Sequence, residues 1–506
     1  MTATRLIAQS AALLTWLTAQ SAQASIDETI DSAFAPIARW MVEFVFFTVP
    51  VGGTDVPLIV AWLVAGALFF TFYLRLINVR GFAHAIRIVR GKEDREPRAP
   101  GEVSHFRALT TAVSGTVGVG NITHVAVAIS IGGPGATFWI IVAGFLGMAS
   151  KFVECTLGVK YRQMNADGSV SGGPMFYLDK GLAELKLPRL GKVMAWYYAI
   201  CIMVGSLGIG CMFQANQAYV QFVGVTGGDQ SFFADKGWLF GAALAIVTGL
   251  VIIGGIKSIA LVTSRLVPFM ALLYTATALI IIGYHFDRLP AAFGAIFSNA
   301  FSPDGVTGGL LAVLVLGFRR AAFSNEAGIG SSSIAHAAVK TEEPLTQGFV
   351  AMLEPFIDTV VICTLTSLVI ILTVYDPIML NDGAISGVEL TSSAFASVIP
   401  WFPYVLAVVV MLFAYSTMIS WSYYGLEGFI YIFGPHRWAK TTFNTLFCLF
   451  VVLGTTTQLA AVLDFSDAMI FAMALANVLG LYLLVPGVRK DLDRYWQRIR
   501  NSGDTR

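Results

Sequence analysis

Apolar runs close to twenty residues long recur through most of this chain, and nothing else in it limits the possible folds as tightly. At a rise of about 1.5 Å per residue, a helix of that length matches the hydrocarbon thickness of a bilayer. The candidate crossings are residues 57–76, 106–131, 136–159, 193–222, 238–254 and 259–284, then 307–339, 347–374, 402–432, 441–461 and 465–485. Inside lipid each backbone polar group must find its partner within the protein, so runs of this length read as helices. The expected fold is an all-α polytopic membrane protein with 11 transmembrane helices. Composition agrees: 56% of the 506 residues are hydrophobic and only 12% are charged, against about 25% in an ordinary soluble domain. No stretch between the runs is long enough for a soluble domain.

The lipid bilayer is therefore a partner, and nucleic acid is not, because a formal charge of +1 offers no concentrated basic surface. The five cysteines lie in or beside apolar runs without a CxxC pair, and the six histidines are dispersed without an HExxH. No nucleophile–base pair is apparent either, so the chain does not read as an enzyme. Nothing demands an oligomer; a monomer suffices. At the start, Arg5, an apolar stretch over 6–17 and Ala22-Gln23-Ala24 match a cleavable secretory signal. Residues 1–24 are thus set apart, followed by a short amphipathic segment within 25–56.

Short loops rich in Lys and Arg stay in the cytoplasm. Arg80, Arg87, Arg90, Lys92, Arg95 and Arg98 follow the first crossing, and Lys160, Arg162, Lys180, Lys186, Arg189 and Lys192 follow the third. The tail, 487–506, carries Arg489, Lys490, Arg494, Arg498 and Arg500, whereas 376–401 has no basic residue. An odd number of crossings then leaves the N-terminus outside and the C-terminus in the cytoplasm, in a bacterial inner membrane.

Two crossings look broken. The second contains Ser114-Gly115-Thr116-Val117-Gly118-Val119-Gly120-Asn121, and the seventh Ser324-Asn325-Glu326-Ala327-Gly328-Ile329-Gly330-Ser331. Glycine favours departures from helix, and irregular backbone at membrane depth survives only inside protein or beside a wet cavity. Five crossings separate the two, so each opens a five-helix unit, and five being odd, the units enter from opposite sides. This is a five-plus-five inverted repeat with discontinuous second and seventh helices, the logic of secondary transporters. Repeat one covers 105–286 and repeat two 306–486, preceded by one extra helix at 57–79; the whole transporter domain is 57–486.

Five runs in order resemble the alanine or glycine:cation symporter family of sodium-coupled carriers: ALTTAVSGTVGVGNI at 108–122, GGPGATFW at 132–139, GGPMFY at 172–177, FSNEAGIGS at 323–331 and FAYSTMISWSYYG at 413–425. The resemblance implies the fold of the bacterial leucine transporter. It further implies a symporter that imports small neutral amino acids (alanine, glycine, D-alanine) by alternating access, with Na+ as coupling ion. Where many members read Ala-Gly after Gly-Asn-Ile, this chain has Thr123-His124, which adds bulk near the first break.

A zwitterion in a dry cavity needs both its charges met. Exposed N–H groups around Thr116, Gly118, Gly120 and Asn121 suit the carboxylate. Gln214 and Asn216, in a run that faces the central cavity in the family, are candidate substrate contacts, and Trp421 would cap the pocket. By analogy with the leucine-transporter fold, Ser416 and Thr417 would hold Na+ together with the carbonyls of Val117 and Gly120. Arg319 or Arg320 with Glu326 reads as a gating or structural ion pair, and Asp358, one turn after Glu354, as a gating or proton-binding group. The rival reading is a proton-coupled carrier of the same fold, in which Asp358 or Glu326 replaces sodium. An ion channel fits less well, since channels gather identical filters about an axis whereas these two breaks are unlike.

Overall fold

With no water to satisfy amides in a bilayer core, the apolar runs have one stable solution, and each is occupied by helix. A computed structural model describes residues 40–91, 99–166, 168–301, 309–375, 388–456 and 460–501. The signal-like segment 1–24, the stretch 25–39, the tip of the first basic loop with Lys92, Arg95 and Arg98, and residues 502–506 lie outside the described residues.

After a helical stretch over 40–45 comes a hairpin, β1 (Thr48–Val51) antiparallel to β2 (Thr54–Pro57), so the amphipathic segment passes from helix into strand. There follow α1 (Leu58–Tyr73), α2 (Phe82–Val89), α3 (His105–Thr116), α4 (Gly120–Gly132) and α5 (Gly135–Lys160). A second hairpin, β3 (Gln163–Met164) with β4 (Val170–Ser171), precedes α6 (Pro188–Val225), α7 (Gly237–Ile252), α8 (Gly255–Tyr284) and α9 (Leu289–Ala300). The remainder is α10 (Gly309–Asn325), α11 (Ser332–Ala337), α12 (Pro344–Thr373), α13 (Val388–Ala396), α14 (Phe402–Phe433), α15 (Arg437–Gly454) and α16 (Ala460–Asn501).

Among the described residues, six helices are long and apolar enough to cross a membrane: α5, α6, α8, α12, α14 and the 467–501 part of α16. The pair α3 and α4 makes a seventh if it counts as one bent span. α1 and α7 are apolar but only 16 residues each. Helices also occupy stretches that apolar length alone assigns to connections: the turn Ile77–Arg80, α2, the segment 174–184, α9 and α13. α9 shows why. It buries Ala292, Ile296 and Ala300, four residues apart, while Phe293 and Phe297 stay exposed, so it is a one-sided helix packed on α5.

α5 is the pillar of the bundle. From Leu146 to Val159 every residue is buried, and α10, α11, α12 and α1 pack around it. Small residues permit this approach. A methyl at Gly147 would lie 2.8 Å from the Ala327 side chain, and one at Gly158 would lie 2.8 Å from the Ser333 carbonyl. Both glycines bring α5 against the second break. Two wide-turn π segments, Gly208–Phe213 in α6 and Phe356–Cys363 in α12, shift the register just where polar side chains enter the bundle.

Candidate functional site

The interruptions fall where glycine density places them. Between α3 and α4 the helix is interrupted at Val117, Gly118 and Val119, with Val117 extended at ψ 93°, and the axis bends by 43°. Between α10 and α11 the chain is irregular from Glu326 to Ser331, with φ of 89° at Gly328 and 94° at Gly330, values that residues with a side chain rarely adopt. Glu326 itself has φ 55°, a left-handed conformation that costs about 1–2 kcal/mol without glycine. Surrounding bonds hold it there. The Ser331 hydroxyl donates to the Glu326 carboxylate, and Asn477 of α16 donates to the Gly328 carbonyl at 2.9 Å.

Asp358 joins the two breaks. Its carboxylate accepts from Asn121 (2.6 Å), from the Ser324 hydroxyl (2.6 Å) and from the Thr359 hydroxyl (2.7 Å), and Asn325 donates to Thr359 at 3.0 Å. The other end of the Asn121 amide accepts from the Gly118 N–H at 2.9 Å. All of these groups are buried, so in a low-dielectric interior the network is stiff and costly to breach.

Between the breaks lies a narrow cavity of about 20 Å³, walled by Gly118, Gln214, Phe323, Glu326, Thr417 and Trp421 among others. By volume it holds about one water. Gln214 donates to the Ile209 carbonyl at 3.4 Å, but its Oε1, though buried, has no hydrogen-bond partner among the described residues. The Trp421 indole N–H donates to the Gly115 carbonyl at 3.2 Å. That bond fixes the ring against the buried C-terminal end of α3. His124 packs beside Gly120, between Phe323 at a centroid distance of 4.0 Å and Phe213 at 6.0 Å, adding the bulk its position suggests.

Of the anticipated residues, Thr116, Gly118, Gly120, Gln214, Glu326, Thr417 and Trp421 line this cavity. Val117 and Asn121 belong to the same break, although the Asn121 amide is taken up by Asp358 and Gly118. Thr417 lies against the first break: its hydroxyl donates to the Ser114 carbonyl at 3.0 Å and stands where a methyl on Gly118 would come within 2.6 Å. Ser416 points elsewhere, to the Phe413 carbonyl at 3.0 Å and the Met270 sulfur of α8 at 3.6 Å. Asn216 turns to the Gly454 carbonyl of α15 at 3.2 Å.

The anticipated pair of Arg319 or Arg320 with Glu326 needs correction. Among the described residues no ion pair joins them; Arg319 stacks over Phe46 at 4.3 Å. α10 stays helical through Asn325, so Arg319 lies two turns, about 10 Å, from the break.

One polar cluster escaped the sequence reading. Lys151 of α5, fully buried, bonds Glu354 at 2.9 Å and Ser332 at 2.5 Å. His105 donates to Gln347 at 2.5 Å, Gln347 donates to His336, and His336 lies 3.6 Å from Glu354. Glu154, one turn from Lys151, accepts from Asn477 at 2.9 Å. The signal was present: Lys151 and Glu154 are charges in the middle of an apolar run, where ionisable groups default to function.

A profile of the sodium:alanine symporter family matches residues 41–506. The chain is similar to the sodium/alanine symporter of Methanococcus maripaludis, 37% identical over 88% of this chain and 95% of that one. It is also similar to two Bacillus subtilis proteins. One is named a probable sodium/glutamine symporter, 31% identical over 88% of this chain and 89% of the relative. The other is named a putative sodium/proton-dependent alanine carrier, 32% identical over 82% and 84%.

Proposed function

The chain belongs to the sodium:alanine symporter family, and on that premise we propose that it imports a small neutral amino acid with Na+ through alternating access to the cavity between the two breaks. The observation that carries this reading is the buried, unpartnered Gln214 Oε1, facing Gly118 and Thr417 in that cavity. An acceptor kept unpaired in a dry bundle is unfavourable unless a guest supplies the donor, and an α-ammonium does so. The substrate carboxylate takes the N–H groups of Val119 and Gly120 at the start of α4, since that of Gly118 already serves Asn121, and Trp421 closes the pocket over a short side chain. Alanine and glycine fit that ceiling, and D-alanine is tolerated because a methyl of either hand is small.

Thr417 with the Val117 and Gly120 carbonyls forms the cation cage, and Ser416 joins once its hydroxyl turns from Phe413. Bound there, Na+ supplies a positive charge that draws α3 onto α14. A space the size of one water does not admit six heavy atoms, so the walls must part during the cycle, as gated carriers require. The eleven-crossing, five-plus-five arrangement over 105–286 and 306–486, with 57–79 as extra helix, belongs to this proposal. So do the bacterial inner membrane, the outside N-terminus and the cytoplasmic tail.

The proton-coupled reading has one specific support: Asp358 bridges both breaks and is not ion-paired among the described residues. Initial rates of labelled alanine uptake into proteoliposomes separate the two. Uptake that vanishes when choline replaces Na+ supports sodium coupling. Uptake that persists without Na+ and follows an imposed pH gradient transfers the coupling role to Asp358.

A further inference from the structure

A second cavity, of about 330 Å³, opens among α14, the start of α8, α15 and the hairpin β3–β4, at the end of the bundle that bears the basic loops. Glu102, Asn165, Lys257, Tyr423, Glu427 and Lys440 stand in its walls. Glu427 is only 4% exposed, and among the described residues its Oε2 has no hydrogen-bond partner. Glu102 differs, because its Oε1 accepts from the Val170 N–H at 2.8 Å and its Oε2 lies 3.6 Å from Lys257.

A buried carboxylate oxygen without a donor is a strongly disfavoured arrangement, and native structures keep such atoms few. The Glu427 side chain stands in the wall of a space large enough for a small organic molecule, within the range of ligand pockets, about 300–1,000 Å³. The walls carry both signs. Glu427 offers an anion, while Lys257 and Lys440 offer cations. A lone metal ion would be repelled by the lysines and would leave most of the volume unused. A simple anion would meet Glu427. A molecule with an ammonium and a carboxylate on one carbon meets both.

The two cavities share a wall. Thr417 and Trp421 border the central one and Tyr423 and Glu427 the second, all on α14. Ten residues separate Thr417 from Glu427, which is about 15 Å along the helix. Resting on the transport reading above, we propose that this cavity is a transit site where the amino acid pauses on the basic-loop side, its ammonium on Glu427 and its carboxylate toward Lys257 and Lys440.

The test compares the two faces of the full-length protein reconstituted in proteoliposomes of known orientation. Half-saturation by alanine is measured for entry from the basic-loop face and from the opposite face, in wild type and in Glu427→Gln. The expected result is at least a fivefold rise at the basic-loop face with the opposite face unchanged within twofold. Equal shifts at both faces, or none at either, overturn the transit site while leaving sodium-dependent import by wild type intact. Absence of alanine transport by wild type removes the transport reading, and the transit site goes with it. Thermal unfolding checks that Glu427→Gln is folded; should it not be, Lys440→Gln is read by the same one-sided criterion.

Discussion

The Asn121 side-chain amide donates to the Asp358 carboxylate at 2.6 Å, across 237 residues of chain, and so fastens the first helix break to α12. Because Ser324 donates to the same carboxylate, any movement of α12 acts on both breaks at once. A rearrangement of the first break is thereby felt at the second, a physical route for coupling the proposed cavity closure to the rest of the bundle.

Removing the amide tests that route. Asn121→Ala leaves the buried Asp358 short of one donor and frees the Gly118 N–H; loss of a buried charged-group hydrogen bond costs about 1.5–3 kcal/mol. We expect a lower unfolding temperature and sodium-dependent uptake reduced more than tenfold. Uptake and stability both within twofold of wild type would contradict the fastening role.

Gln214→Ala is expected to behave differently. Its Oε1 has no bond to lose in the fold, so stability should hold, apart from the 3.4 Å bond to Ile209. A substrate hydrogen bond of about 1–1.5 kcal/mol corresponds to roughly a tenfold rise in half-saturation for alanine. Titration of uptake against alanine, alongside a melting curve, reads both effects.

Gly118→Ala puts a methyl 2.6 Å from the Thr417 hydroxyl. Overpacking of this kind costs about 1–3 kcal/mol. The chief expectation is a weakened sodium dependence, with the half-saturating Na+ concentration rising at least fivefold. Thr417→Ala in the same chain should relieve the crowding and restore thermal stability without restoring sodium affinity.

Lys151→Met strands the Glu354 carboxylate in a fully buried setting. Breaking a buried pair from one side costs about 3–5 kcal/mol, whereas removing both charges is often neutral. The single variant should therefore unfold at markedly lower temperature, and Lys151→Met with Glu354→Gln should recover most of the loss. A double variant as unstable as the single one would mean that the pair is not what holds α5 to α12.

Much of the architecture was legible beforehand because its causes are local. Hydropathy over twenty residues, and glycines beside Ser and Asn, act on their own stretch of chain, so the helices and both breaks fell near their expected positions. Connecting helices such as α2, α9 and α13 were missed because they are short and half-buried, and apolar length does not register one-sided packing. Lys151 was missed because a single charge in a long run barely changes its hydropathy.

By itself, then, the amino-acid order determined that this chain seeks lipid, runs as helices and interrupts two of them, since those outcomes need only neighbouring residues and the solvent. Tertiary structure alone decided the partners. It sent Arg319 to Phe46, turned Ser416 toward Met270, committed Asn121 to Asp358 and left Gln214 Oε1 unpaired. Such choices depend on which helix faces pack together and on rotations of single side chains, and no periodicity along one segment encodes them.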